Sequence, residues 1–241
     1  MKTKTLIKKL FNLAGFKISR IDNRRVSQAN QFNWLKNFSI KTIIDVGASK
    51  GNSILEFHRL FPEATIYAFE PLRDCFNLIQ QKTKDISNLH IYNLALGDQA
   101  GEATIFRSSY SGASSLRPMA ELHKNLFPHT AGETSGNIKI DTLDNVLKSG
   151  NLADNILVKL DVQGYEDKVI KGGGNIIKRA KVVVCETSYQ PLYEGQPLFA
   201  DINNMLEDLG FIYAGIWGEE FKNPADGRPL QQDSIFIKNE I

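Results

Sequence analysis

The sequence predicts a doubly wound α/β fold, an open and mostly parallel sheet with helices on both faces. Three observations carry that expectation. Short apolar runs alternate with segments of helical periodicity. The first of these runs passes through Asp45, Gly47 and Gly51 directly into a helical pattern, a strand–turn–helix passage. Asp45, Glu70, Asp161 and Glu186 all stand at predicted strand ends, on the rim where such sheets bind ligands. Packing alone does not explain acids gathered on one rim.

The elements follow in order. Residues 28–38 read as a short helix leading into a strand at 42–46. The glycine turn comes next, then a helix marked by Ile54, Leu55, Phe57 and Leu60. A second strand, 65–69, runs to Glu70 and Pro71, and a helix covers 74–81. Strand three spans 89–96; the turn 97–101 and a strand at 103–106 suggest a hairpin. Residues 108–136 are rich in Ser, Gly, Pro and Thr and lack periodicity. Loops of that length in a compact domain are usually functional or disordered, and its place between sheet strands suits a substrate-covering lid. An extended piece at 138–140 precedes a helix starting near 141–144. Strands are then expected at 156–160 and 181–185, a helix at 200–209 stopped by Gly210, and two last strands at 211–216 and 234–237. No internal repeat appears. The expected division is a basic helical extension, 1–38, and one larger domain, 39–241.

Composition excludes several classes. Apolar residues make up 42% and charged residues 23%, as in ordinary globular proteins. No apolar run approaches the roughly 20 residues that span a bilayer. The opening residues lack a signal peptide's apolar core, and Cys75 and Cys185 sit in apolar contexts suited to buried thiols. Both point to a cytoplasmic compartment. The net charge of +2 hides an asymmetry: residues 1–25 carry +7 and the remainder −5. Leu6, Ile7, Leu10, Leu13 and Ala14 recur there at helical spacing before Gly15. A basic amphipathic helix of this kind either rests on an anionic membrane surface or packs on a protein. Nucleic-acid binding is not expected, because the rest of the chain is acidic and has no basic, aromatic-rich stripe.

The turn narrows the ligand. Glu70 lies 19 residues past Gly51, the distance expected of an acid that grips a ribose diol. The spacing Asp-x-Gly-x-x-x-Gly is not the G-x-G-x-x-G of a dinucleotide fold, and Ala48 stands where a pyrophosphate needs glycine. An acid just before the turn suits a ligand with a cationic head, such as the ammonium and sulfonium of S-adenosylmethionine.

Between residues 41 and 218 the chain resembles the FkbM family of S-adenosylmethionine-dependent methyltransferases. The resemblance rests on ordered motifs: Ile-Ile-Asp-Val-Gly-Ala-Ser-Lys-Gly, Ala-Phe-Glu-Pro, Asn-Leu-Ala-Leu-Gly-Asp, Ser-Ser-Leu, Asp-Thr-Leu-Asp, Lys-Leu-Asp-Val-Gln-Gly-Tyr-Glu and Pro-Leu-Tyr-Glu-Gly. It implies a seven-stranded, Rossmann-like sheet with an antiparallel last strand. It also implies O-methylation of a hydroxyl on a sugar, glycan or related small molecule. Gly47 and Gly51 would then lie under the methionine part of the cofactor. Asp45 would organise the turn or face the cationic group, Glu70 would hold the ribose, and Asn93 would read the adenine edge. Asp98 is the alternative to Asn93, though its Gly-Asp-Gln-Ala-Gly context reads as a turn.

Methyl transfer to a hydroxyl needs an in-line oxygen and a base for its proton. Asp161 is the candidate base. Lys159, two residues back on the same strand face, is its charge partner; a buried structural ion pair is the competing reading. Glu166 opens the next helix, either as part of the site or only as a favourable N-terminal charge. Asp161 and Glu186 end neighbouring strands and suit a hard cation such as Mg²⁺, but no third ligand is evident, so metal stays an open alternative. His58, His123 and His129 are lesser candidates for the base. Two further readings stand beside the enzyme: a non-catalytic cofactor-binding scaffold of a glycan-assembly complex, and a nucleotide-linked oxidoreductase.

Overall fold

The computed structural model describes residues 32–148 and 152–239. The chain divides into two compact units, Met1–Leu35 and Lys36–Ile241. The basic helix expected within residues 1–25 lies outside the described residues, as does the start of the helix expected at 28–38. What is described there is a 3-10 turn, Asn33–Phe38.

The first half of the second unit contains β1 (Thr42–Val46), α1 (Asn52–Leu60), β2 (Thr65–Phe69), α2 (Arg73–Lys82) and β3 (Leu89–Tyr92). Then come β4 (Ala95–Leu96), β5 (Gly101–Ser108), α3 (Glu121–Leu126), β6 (Glu133–Asp141) and α4 (Leu143–Val146). The second half holds β7 (Ile156–Leu160), α5 (Glu166–Gly172), α6 (Gly174–Ile177), β8 (Ala180–Ser188), α7 (Phe199–Asp208), β9 (Phe211–Lys222) and β10 (Pro229–Lys238). Seven strands form one sheet in the order β3-β2-β1-β7-β8-β10-β9. Pairing is parallel from β3 to β8, and β10 is antiparallel to both β8 and β9.

The central strands are buried along their whole length: every residue of β1 and β7 is buried. That is why they read as continuous apolar runs rather than alternating ones. Strand order reverses between β1 and β7, so the crevice at their carboxyl ends is the place for a ligand. Helix α1 buries Ile54, Phe57 and Leu60, whereas Leu55 stays 41% exposed and lies off the buried face.

Two expectations change. Strand three is not continuous from 89 to 96. β3 stops at Tyr92, and β4 joins a second sheet of order β4-β6-β5. The physical reason is Asn93. Its side-chain amide donates to the carbonyls of Glu70 and Pro71, both at 2.9 Å, in place of a strand partner beyond the end of β2. The expected hairpin is also re-paired. β5 runs antiparallel to β6 from Gly101↔Ile140 to Ser108↔Glu133, and β6 separates it from β4. Residues 109–132 form the connection of that ribbon. It is ordered around a small core of Ala113, Met119, Leu192 and Tyr193.

β9 and β10 extend beyond their apolar runs. In β10 the added residues include Gln231, Gln232 and Asp233. Antiparallel pairing sets Asp233 opposite Glu186, on the ligand rim of the sheet.

Candidate functional site

Asp45 is fully buried in β1, and its Oδ2 accepts a 2.6 Å hydrogen bond from Ser53 Oγ in the first turn of α1. Burial raises its pKa, against the opposing charge of Lys159. It does not line either cavity described below. Through Oδ2 Asp45 thus clamps strand to helix beneath the turn, and its Oδ1 has no partner among the described residues.

Above it the turn closes on the next strand. The N–H groups of Gly47 and Ala48 both donate to the Phe69 carbonyl at 3.0 Å. Glu70 Oε2 accepts from Ser49 N–H and Oε1 from Leu72 N–H, each at 2.8 Å. Glu70 is only 5% exposed, and burial lifts its pKa to about 7 despite those two bonds. Gly47 has φ +86°, and a Cβ there would fall 1.9 Å from the backbone oxygen of Asp161. The two strand-end turns thus touch through bare backbone. Gly51 also has positive φ, +78°, but its added Cβ would meet Ile79 of α2 at 3.3 Å. Gly51 is a helix-entry and packing residue and does not reach the cavity.

A cavity of about 260 Å³ opens between these turns. Gly47, Ser49 and Glu70 form one wall, and Asp161, Gln163 and Glu186 another. Pro71, Leu72 and residues 94–96 make an apolar end, and residues 110–112 and 114–116 of the ribbon connection cover it. Asn93 is absent from the lining. Its carbonyl oxygen accepts from Arg73 at 3.2 Å and its amide is spent on backbone, so it holds the 70–71 turn instead of facing a ligand. Asp98 lies off the lining too, ion-paired to Lys168 at 2.8 Å. The apolar end of the cavity suits an aromatic base, and Ser111, Ser114 and Ser115 also line the cavity.

The opposite wall is a polar network. Lys159 Nζ donates to Asp161 Oδ2 at 2.6 Å. Burial works against the lysine charge, but Asp161, Asp233 and Asp45 outweigh it, so Lys159 stays firmly protonated. Gln163 Nε2 donates to Asp161 Oδ1 (2.9 Å) and Glu186 Oε2 (2.8 Å), and Gln163 Oε1 accepts from the Tyr193 hydroxyl at 2.8 Å. Gln163 holds φ +58°, a conformation that a non-glycine residue adopts at a cost. Burial and the neighbouring charges of Asp161 and Glu166 raise the pKa of Glu186 well above the carboxylate range. Burial thus favours its protonated form. Glu166 is buried, and its Oε1 accepts from the N–H groups of Val162 (3.0 Å) and Gly164 (3.2 Å). It clamps the turn after β7, and this is more than a charge at a helix start.

Asp161, Glu186 and Asp233 each place one oxygen within 4.8 Å of the others. Burial raises the pKa of Asp233 to about 6. Sequence reasoning alone does not single out Gln163, Tyr193 or Asp233. The first two stand inside the motifs 159–166 and 191–195, which supplied a signal. Asp233 had none, since only the antiparallel pairing of β10 brings it to the rim.

A second, larger cavity of about 470 Å³ shares Tyr110, Gly112, Gln163 and Glu186 with the first. His123 and His129 line it, whereas His58 lines neither. His123 Nε2 is hydrogen-bonded to Thr130 Oγ1 at 3.1 Å, and burial lowers its pKa, which keeps the ring neutral. The region expected to cover substrate thus forms part of both cavities.

Comparison with known proteins gives four findings. The family model described as "Methyltransferase FkbM domain" matches residues 45–213. The chain is 28% identical over 176 residues to "2-O-methyltransferase NoeI" of Sinorhizobium fredii (strain NBRC 101917 / NGR234), covering 70% of this chain and 72% of that protein. It is 28% identical over 193 residues to "Methyltransferase sdnD" of Sordaria araneosa, covering 70% and 73%. Among solved structures it aligns with a precorrin-6y C5,15-methyltransferase from Geobacter metallireducens GS-15 at 13% identity and a TM-score of 0.45, over 85% of each chain.

Proposed function

The chain belongs to the FkbM methyltransferase family, and from that premise we propose that it carries a methyl group from S-adenosylmethionine to a hydroxyl oxygen of a small molecule or glycan. The buried Glu70 carboxylate beside the Gly47 turn carries this reading. After Ser49 and Leu72, each of its oxygens keeps a lone pair, so a vicinal diol can be accepted from the cavity side. Gly47 leaves bare backbone below, and the apolar end takes a base. The residues present therefore fit the donor molecule. When bound, S-adenosylmethionine supplies a methyl group made electrophilic by its sulfonium.

The chain's own residues do the rest. Glu70 anchors the donor, and the Gly47 turn fixes its depth. Asp161 stands on the donor cavity's wall, bonded to Gln163, which lines both cavities, and takes the hydroxyl proton at a carboxylate oxygen. Lys159, ion-paired to Asp161 Oδ2, and Gln163, bonded to Oδ1, hold that carboxylate in one orientation. Glu186, in the protonated form that its burial favours, presents an O–H to a second acceptor oxygen. This assigns complementary roles to two carboxyl groups, as their different surroundings allow.

A second reading of the same wall rests on Asp233. With Asp161 and Glu186 it forms the oxygen set that a divalent cation such as Mg²⁺ takes. Loss of turnover in EDTA, with recovery on Mg²⁺, selects that reading and makes Asp161 a ligand instead of a base. Family membership sets aside the oxidoreductase. The scaffold reading falls if any acceptor turns over. The deciding experiment is calorimetric titration with S-adenosylhomocysteine and with NAD. Binding of the first and not the second is expected; the reverse overturns the proposal.

A further inference from the structure

The second cavity has a chemistry of its own. Its lining includes the acids Glu186, Glu219 and Asp233 and no lysine or arginine. Gln231, at 7% exposure, lines it, and its buried Nε2 donor has no partner among the described residues. A buried donor without an acceptor is a standing cost that a ligand oxygen relieves. Its neighbour Gln232 differs: its amide is spent on Tyr213 and Ser234. Apolar planes complete the wall. Phe127 and Phe221 lie 4.8 Å apart at 33°, and Phe221 and Tyr110 are 45% and 56% exposed.

We infer that this cavity is the acceptor site and that it selects an uncharged, polyhydroxylated ring over an anionic one, with Gln231 as a specificity-determining donor. The inference rests on the methyltransferase reading and names its substrate class. Carboxyl groups accept from ring hydroxyls, the Gln231 amide donates to a ring or hydroxyl oxygen, and aromatic faces cover the apolar C–H side of a pyranose. An anionic acceptor meets Glu219 and Asp233 with no lysine or arginine in the lining among the described residues, a repulsion strengthened by desolvation. The cavity shares Gln163 and Glu186 with the donor cavity, and Gln163 donates to Asp161 Oδ1, so an acceptor held here lies one side chain from Asp161.

The test uses the full chain saturated with S-adenosylhomocysteine and saturation-transfer NMR. The probes are methyl glycosides of neutral hexoses and 6-deoxyhexoses, each against a methyl uronide. At least one neutral glycoside is expected to bind about tenfold or more tightly than its uronide. Gln231→Leu should weaken that glycoside about tenfold, the loss of one buried hydrogen bond, and leave S-adenosylhomocysteine affinity unchanged. No binding by any neutral glycoside, or equal binding by uronides, overturns the inference while the methyltransferase reading stands. Failure of wild-type protein to bind S-adenosylhomocysteine overturns that reading itself. If Gln231→Leu loses S-adenosylhomocysteine as well, its fold is lost and Phe221→Ala decides. Weaker glycoside binding is expected there, and unchanged binding overturns the site.

Discussion

A carboxyl group as buried as Glu70 keeps its proton to about pH 7, against an ordinary 4.5. The sign of its effect follows. Below 4.5 folded and unfolded chains are both protonated, and the fold carries no penalty. As pH rises toward 7 the unfolded chain ionises first, so the stability contributed by Glu70 is lost through that window. Diol hydroxyls donate to the ionised form, so binding S-adenosylhomocysteine releases a proton below pH 7. Affinity should fall by up to about tenfold per unit as pH drops below 7, and Glu70→Gln should flatten the profile. Glu70→Ala should cost about 1.5–3 kcal/mol of affinity, the scale of a hydrogen bond to a charged group. Unchanged calorimetric affinity in these variants removes Glu70 from the donor site. Asp161 makes a different demand. Asp161→Asn should keep donor affinity and lower turnover roughly 10²–10⁴-fold, the range for general base catalysis. Retained turnover assigns Asp161 to structure. Single residues were unevenly legible. Glu70 stood out because its distance from the glycine turn is a chain property. Asn93 did not reveal its place, because an amide that ends a strand and one that reads a base look alike in sequence.

The elements show why spacing is not geometry. Gly47 and Gly51 belong to one motif and have similar φ, but they face different neighbours. At Gly47 an added Cβ lands on the backbone oxygen of Asp161, which cannot yield without moving the end of β7. At Gly51 the obstacle is the Ile79 side chain at 3.3 Å, which can shift by tenths of an ångström. Gly47→Ala should therefore abolish S-adenosylhomocysteine binding and lower the melting temperature sharply. Gly51→Ala should bind the donor nearly normally and pay only the left-handed backbone strain, about 1–2 kcal/mol. Equal loss of binding in both variants would show that Gly51 shapes the cavity after all. Burial explains which strands were readable. β1 and β7 match the sequence reading residue for residue because fully buried parallel strands must be continuous apolar runs, and β2 matches although Thr65 and Tyr67 are half-buried. β5 is mostly solvent-exposed and β10 begins in a polar run, so their pairing and length depend on partners far along the chain. Asp233 is the cost of that blindness at the site: it carries no pattern of its own and reaches Glu186 only through the register of β10 on β8.

On the scale of the whole chain, charge divides the molecule more sharply than any motif. Residues 1–25 carry +7 and the rest −5. The catalytic reading uses none of those 25 residues, since every side chain proposed around the donor lies at Gly47 or beyond. Among the described residues no helix is long and apolar enough to cross a membrane. Peripheral attachment is a separate matter, and the helical spacing of Leu6, Ile7, Leu10 and Leu13 beside the lysines has the composition it requires. Basic residues near an anionic surface contribute on the order of 1 kcal/mol each, within reach of a screening length of about 10 Å at 0.1 M salt. Without a lipid anchor such binding is weak and salt-sensitive. The full chain should sediment with phosphatidylserine vesicles at low salt and come off as salt rises. Deletion of residues 1–25 should abolish that association and leave S-adenosylhomocysteine affinity unchanged. A full chain that ignores anionic vesicles at low salt sinks the membrane attachment. A deletion that turns the protein insoluble instead assigns the apolar face of the segment to packing against protein, where its leucines would be buried and only the lysines would meet solvent.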